Sequence, residues 1–264
     1  MEDLKEYLEF AKEIARESEK IMKKYFSRTD ISSYKGDKTI VTLADKEINS
    51  YLIKRVKETY PNHSVDGEEE QFGDSKYVWV CDPVDGTAMY ARHIPVAVFS
   101  LALAIDGVPV VGVINDPFTE NLYTAIKGKG AYQNGKKISV NHYTLDDMRS
   151  VCNFDWWPEA EYDVSGVLTE LGRKTYFVAL GSVIRACICV ATGEFDLAIF
   201  PGTKHKNCDI AAAKVIVEEA GGKVTDFFGD EQRYDESING AIISNGEVHE
   251  EVLETIKKYC KNKR

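Results

Sequence analysis

The sequence predicts a mixed α/β (α+β) fold in two halves. Three observations carry that prediction. Two long segments near the N-terminus repeat apolar residues at three- and four-residue steps. Apolar runs separated by two-residue turn signals follow them. Beyond about residue 145, short apolar runs alternate with helical stretches.

Taken in order, residues 3–26 read as an amphipathic helix with Leu4, Leu8, Ala11, Ile14, Ala15, Ile21, Met22 and Tyr25 on one face. A second helix is expected from about Leu43 to Thr59. Thr42 is placed to cap it, and Asp45 stands three residues on, as in a capping box. Pro61-Asn62 ends that segment. Residues 77–81 read as a buried strand that stops at Asp82. The runs 97–105 and 108–114 flank Asp106-Gly107, a hairpin signal, and 121–126 and 131–140 extend the sheet with Asn134-Gly135 as another tight turn. In the second half, strands are expected at 175–180, 195–200 and 241–244. Helices are expected at 182–192, 210–220 and 248–259, the middle one stopped by Gly221-Gly222. The seam between the halves falls near 140–150 without a flexible linker.

Composition sets the outer bounds. Apolar residues make up 44% and charged residues 29% of 264, an ordinary globular balance. The formal net charge of −10 argues against a nucleic-acid binder, which needs a basic face. No apolar run approaches the roughly 20 residues that span a bilayer. The acidic start Met1-Glu2-Asp3 lacks a signal-peptide core, so a cytoplasmic protein is expected. The six cysteines are scattered, without a C-x-x-C pair, and are expected as free thiols.

Chemistry concentrates in Trp79-Val80-Cys81-Asp82-Pro83-Val84-Asp85-Gly86-Thr87. A buried strand delivers two aspartates, three residues apart, into a turn. Pro83 fixes φ and Gly86 opens a backbone path closed to other residues. The amides of Gly86 and Thr87 then form a candidate anion nest beside carboxylates that attract cations. Upstream, Asp66-Gly67-Glu68-Glu69-Glu70 reads either as a solvated acidic loop or as a further source of hard oxygen ligands for Mg²⁺. Asp209 sits where the 210–220 helix begins. It is read either as an N-cap or as one more carboxylate for the site.

These segments together resemble the inositol monophosphatase family, within the wider lithium-sensitive, Mg²⁺-dependent phosphatases. Trp79–Thr87 matches the family's W-x-x-D-P-x-D-G-T motif in full, and Gly67-Glu68-Glu69 its G-E-E loop. Cys208-Asp209-Ile210-Ala211-Ala212 and Glu219-Ala220-Gly221-Gly222 follow its second motif. The stretch 35–45 is similar to its K-x-x-x-D-x-V-T-x-x-D region, and Gly181-Ser182 with Gly193–Asp196 to its G-S…G-x-x-D stretch. The matches run in the family's order from about Lys35 to Asp226.

The resemblance implies a layered α-β-α-β-α sandwich of one catalytic domain, with halves at about 1–145 and 146–264. It implies a homodimer and a phosphomonoesterase that uses two to three Mg²⁺ on a small phosphorylated metabolite. Glu68, Asp82 and the Val84 carbonyl would hold one ion. Asp82, Asp85 and Asp209 would hold the second, and Glu68 would reach a weaker third, with Glu69 behind it. Thr87, hydrogen-bonded to Asp45, would help Glu68 position the attacking water. Asp85 and the Gly86 and Thr87 amides would meet the substrate. Two ions can stabilise both the attacking and the leaving oxygens of an in-line displacement, so no Ser or Cys nucleophile is required.

The sequence departs from the family at the leaving-group side. Thr87-Ala88-Met89-Tyr90 replaces T-x-N-F, and Cys208 stands where a Trp is usual. The position where family members often carry a Glu to hold sugar hydroxyls falls near Gly202. Nearby, Lys204, His205 and Lys206 read either as a solvated loop or as a clamp for a second anionic group. The leading substrate class is an inositol-phosphate-like or sugar monophosphate. Alternatives are fructose 1,6-bisphosphate, adenosine 3′,5′-bisphosphate and histidinol phosphate, and a non-catalytic regulatory relative. Trp156-Trp157-Pro158 is read as packing, a dimer contact or a pocket wall. Arg185 is expected to pair with a carboxylate, Asp196 to serve a motif or a strand end, and His63 and His93 to be ordinary loop residues.

Overall fold

A computed structural model describes residues 4–27, 31–34, 40–145, 149–155, 162–202 and 207–262. The N-terminal half opens with α1 (Leu4–Phe26), the strand pair β1 (Ile31–Tyr34) and β2 (Ile40–Thr42), and α2 (Leu43–Thr59). It continues with β3 (Ser64–Gly67), β4 (Gln71–Phe72), β5 (Tyr77–Asp85), the single turn α3 (Thr87–Tyr90), β6 (Val98–Ile105) and β7 (Val108–Asp116). The strands β8 (Asn121–Ile126), β9 (Ala131–Gln133) and β10 (Lys136–Lys137) close the half. Eight of these strands form one sheet in the order β10-β9-β8-β7-β6-β5-β3-β4. Every pairing in it is antiparallel except β3 with β5.

The C-terminal half runs β11 (Val151–Phe154), β12 (Tyr162–Asp163), α4 (Ser165–Leu171), β13 (Tyr176–Val178), α5 (Val183–Ala191), β14 (Leu197–Phe200) and α6 (Asn207–Glu219). It ends with β15 (Lys223–Thr225), β16 (Ala241–Ser244), α7 (His249–Tyr259) and β17 (Lys261–Asn262). Its five-stranded sheet has the order β13-β11-β14-β16-β15, with β11 parallel to both of its neighbours. The short strands β12 and β17 pair antiparallel to each other.

The layers follow from which faces are apolar. On α1, Phe10, Ala11, Ile14, Ala15, Ile21 and Met22 form a helical stripe buried against one face of the large sheet together with α2. The other face packs on α5 and α6, which are buried on all sides because the small sheet covers them in turn. The outer face of the small sheet carries α4 and α7. Three apolar cores thus hold five layers together, the middle one reaching through α5 and α6 to both sheets, in the expected α-β-α-β-α sandwich. No helix among the described residues is long and apolar enough to cross a membrane.

Local chemistry fixes several element ends. Thr42 and Asp45 cap α2: the Thr42 backbone N–H donates to Asp45 Oδ2 at 2.8 Å and the Thr42 hydroxyl donates to the same oxygen at 2.5 Å. Both two-residue turns have the positive φ pair that matches hairpin twist, 51° and 82° at Asp106-Gly107 and 48° and 78° at Asn134-Gly135. At the end of α6, Gly222 N bonds Val217 O at 2.9 Å and Gly221 N bonds Glu218 O at 3.0 Å, with Gly221 at φ 95°. That is the Schellman arrangement its two glycines predict.

Several expectations need correction. The strand from Tyr77 does not stop at Asp82 but continues to Asp85, with a register irregularity between the two aspartates. Asp66 lies within β3 rather than in a loop, because it pairs with Val80 of β5. The 131–140 run ends its pairing at Lys137, with β9 and β10 on either side of the expected Asn134-Gly135 turn. Asp209 does not cap α6; it is the third residue of a helix that already includes Asn207. The cysteines, by contrast, are as expected: all six are free, and five of them are buried.

Candidate active site

The long strand β5 sets the site. Trp79 is fully buried, and its Nε1 donates to His63 Nδ1 at 3.1 Å. That ring stacks between Tyr60 and Tyr77 at 4.8 and 4.7 Å, so His63 sits in the expected loop, between α2 and β3, as a packed aromatic. His93, at φ 60°, contacts the Phe26 carbonyl through Nδ1. From the anchored Trp79, β5 runs to Asp82 and Asp85, which are 2% and 6% exposed. The Val84 amide donates to Asp82 Oδ1 at 3.0 Å, turning the chain around Pro83. Gly86 follows at φ 83°. A Cβ there would lie 3.0 Å from Ser182 Cβ and 3.1 Å from Gly181 O, so the turn admits only glycine.

Two neighbours bring further carboxylates. Because β3 runs parallel to β5, the Glu68 amide reaches the Cys81 carbonyl at 3.1 Å, setting Glu68 beside Asp82. Behind it, Asn49 of α2 donates to the Glu70 carbonyl at 3.0 Å and fills the space over Gly67. Thr87 Oγ1 donates to the Val84 carbonyl at 2.8 Å and lies 3.5 Å from Asp45 Oδ1. Burial pushes the Asp45 carboxyl up to about 7 against the Thr42 hydrogen bonds, and the charges of Glu68 and Glu69 add to the rise.

The Asp85 carboxylate meets the N-terminus of α5. It accepts from the Ser182 hydroxyl, from Val183 N at 3.2 Å and from Ile184 N at 2.9 Å. Burial raises its pKa, and the nearby charge of Asp209 raises it further. Asp209, in the first turn of α6, lies near enough for its charge to act on Asp85, and the Cys208 thiol is 3.4 Å from its Oδ1. Asn207, two residues earlier, donates to Asp66 Oδ2 at 2.6 Å and to the Tyr234 carbonyl at 3.0 Å. Beside this link opens a polar cavity of about 250 Å³ lined by Asp66, Glu68, Gln71, Asp235 and Glu236.

The donors are all hard oxygens: carboxylates, a carbonyl and hydroxyls. Such a set suits Mg²⁺ or Ca²⁺ rather than a soft metal. Two observations fit a cation. Ser100, directly across from Asp82 on β6, is 1% exposed with an unpartnered Oγ. The Val84 carbonyl accepts one hydrogen bond and keeps a second lone pair. Among the described residues no three His, Cys, Asp or Glu side chains stand as a ready metal cluster.

Sequence reasoning missed Asp155, and it found Ser182 only as part of the G-S motif, without its contact to Asp85. Both lie far from β5 in the chain. Asp155 is raised by burial and accepts from Asn153 Nδ2 at 2.8 Å and from the Gly181 amide, which steadies the turn before α5. Arg185 pairs with Asp116, the expected carboxylate partner. Asp116 also accepts from Phe118 N and Thr119 N at 2.9 and 3.1 Å. Asp196 Oδ2 accepts from Val151 N at 2.6 Å, a strand-end role that ties β14 to β11. Lys204, His205, Lys206 and Trp156-Trp157-Pro158 lie outside the described residues.

Relatives of this chain share the architecture over nearly its full length. A fructose-1,6-bisphosphatase/inositol-1-monophosphatase of Aquifex aeolicus is 33% identical, covering 98% of each chain. An inositol monophosphatase 1 of Solanum lycopersicum is 30% identical over 96% of each. The solved inositol monophosphatase of Thermotoga maritima superposes with a TM-score of 0.85 at 27% identity, covering 96% of this chain and 98% of that one. That of Anabaena (Nostoc) sp. PCC 7120 gives 0.82 at 27%, covering 98% of both. The inositol monophosphatase family model matches residues 3–261. With β5, α5 and α6 bringing its motif residues to one place, the chain belongs to the inositol monophosphatase family and is a phosphoric monoester hydrolase.

Proposed function

We propose that the chain hydrolyses a monoester of a small phosphorylated metabolite with Mg²⁺ held by Glu68, Asp82, Asp85, Asp209 and the Val84 carbonyl. The observation that carries this reading is the end of β5: Asp82 and Asp85 emerge there against the N-termini of α5 and α6. When bound, Mg²⁺ supplies Lewis acidity and a lowered pKa for water. The protein's own groups do the positioning. Thr87, between the Val84 carbonyl and Asp45, orients the attacking water together with Glu68. The Gly86 and Thr87 amides, opening the turn into α3, hold phosphate oxygens. Glu69 stands behind Glu68 and adds charge.

Asp85→Asn and Asp209→Asn are each expected to abolish Mg²⁺-dependent phosphate release, with an unchanged far-ultraviolet circular dichroism spectrum. Activity retained in both variants would remove the metal assignment.

The substrate is a sugar or inositol phosphate, with bisphosphates a specific second reading. Gly202 favours the second. A Cβ there would sit 2.6 Å from Asn239 Oδ1 and 3.0 Å from Tyr162, so no glutamate fits to hold sugar hydroxyls. Several relatives are named for both fructose 1,6-bisphosphate and inositol 1-phosphate. Lys204, His205 and Lys206 supply positive charge for a second phosphate. Lys204→Ala/Lys206→Ala is expected to impair bisphosphate turnover selectively; equal losses on mono- and bisphosphates would sink the clamp. The homodimer, lithium sensitivity and cytoplasmic location belong to the same proposal, and light scattering and lithium inhibition test the first two.

A further inference from the structure

Ser182 holds two contacts at once. Its backbone is extended, φ −145° and ψ 114°, and its Oγ accepts from Arg185 N at 3.2 Å as the N-cap of α5. The same hydroxyl donates to Asp85 Oδ2. An amide N–H can only donate, so the cap bond leaves the hydroxyl's single proton for Asp85. Ile184 N donates to that oxygen as well, whereas Val183 N donates to Oδ1. A carboxylate offers about four acceptor positions. Oδ2 has both of its positions filled, and Oδ1 has one filled and one open.

The contact cannot slide. Ser182 is 2% exposed, and its Cβ stands over Gly86 where a glycine Cα alone fits. Gly181, at φ 73°, lies against Met89, closing the other side. The turn before α5 and the turn after β5 are thus locked face to face across 97 residues of chain.

We infer that Ser182 is a positioning residue for the cation proposed above: it pins the Asp85 carboxylate so that Oδ1 alone is left to ligate. The inference rests on the metal reading of the site. Groups that orient a ligand in this way typically carry 10- to 100-fold of metal affinity.

The test is Mg²⁺ titration calorimetry on the whole chain, with thermal unfolding of each protein without added metal. Wild type and Asp85→Asn come first. If wild type takes up no Mg²⁺, or Asp85→Asn binds it equally well, the metal reading fails, and this inference with it. If that reading stands, Ser182→Gly decides the inference. Glycine is a good N-cap, so α5 keeps most of its capping while the hydroxyl to Asp85 disappears. The expected result is Mg²⁺ affinity at least about tenfold weaker with little change in metal-free unfolding, and recovery in Ser182→Thr, which restores the hydroxyl. Unchanged Mg²⁺ affinity in Ser182→Gly would overturn the inference and leave Ser182 as a helix cap only.

Discussion

A methyl group added to Gly67 would lie 2.1 Å from Asn49 Oδ1 and 2.8 Å from the Glu70 carbonyl oxygen. The second contact is backbone, so the turn that carries Glu68 would have to move. Gly67→Ala is therefore expected to cost about 1–3 kcal/mol in urea unfolding and to lower phosphatase activity further than that loss explains. Outside the site, His249 gives stability a pH dependence. It is fully buried, with Ser244 Oγ at 2.8 Å and Thr225 Oγ1 at 3.1 Å, and burial lowers its pKa from 6.5 to about 4. Lys223 and Lys214 push the same way and Glu250 opposes them. As pH falls below 6.5 the unfolded chain takes up this proton first. The stability that His249 contributes is complete above that pH and declines toward pH 4, by at most about 3 kcal/mol. Unfolding series from pH 7 to 4 should show a steeper slope in wild type than in His249→Gln; parallel slopes would contradict the assignment. At this scale the sequence was partly legible. Asp45, Asp82, Asp85, Thr87 and Ser182 announce themselves by motif, but the pairing of Ser182 with Asp85 and the part played by Asp155 rest on contacts that no local spacing records.

Among the elements, α6 has little room for change. It lies between the two sheets, and its Ala211–Ala213 run lets it approach β7 closely. A Cβ on Gly112 would come within 2.7 Å of the Ala212 carbonyl oxygen. Gly112→Ala is expected to lower thermal stability by about 1–3 kcal/mol, and a neutral substitution would show that the helix can retreat. The far end of α6 is tied differently. Glu219, part of the second motif, accepts from Gly128 N at 2.5 Å and Gly130 N at 2.6 Å, clasping the β8–β9 turn. Elements with strong local signals read correctly from sequence: α2 over Leu43–Thr59, β8 over Asn121–Ile126 and β16 over Ala241–Ser244 match their expected bounds. The strands β3 and β11 were missed. Each is four residues long, and each contains a polar side chain that only its parallel neighbours make suitable for a sheet. Asp209 read as a cap because Asp favours that position; the fold instead brings its charge near Asp85.

For the whole molecule, the net charge of −10 is consistent with a phosphatase once the carboxylates are seen to gather at one end of β5. Under the proposed chemistry, Glu68, Asp82, Asp85 and Asp209 are matched by the cations they hold, and an anionic substrate meets a pocket that is no longer negative. The contacts that assemble this pocket are long in sequence: Asp85 to Ser182 spans 97 residues and Asp66 to Asn207 spans 141. That separation has a consequence for synthesis. As a ribosome releases the chain from its N-terminus, the large sheet emerges with one apolar face bare, and α5 and α6 arrive only later to cover it. Until then the chain is exposed to chaperones and to aggregation, and it has no phosphatase activity. A fragment ending at residue 145 is accordingly expected to bind hydrophobic dyes and to melt without a cooperative transition. The full chain should gain activity and a sharp melt together.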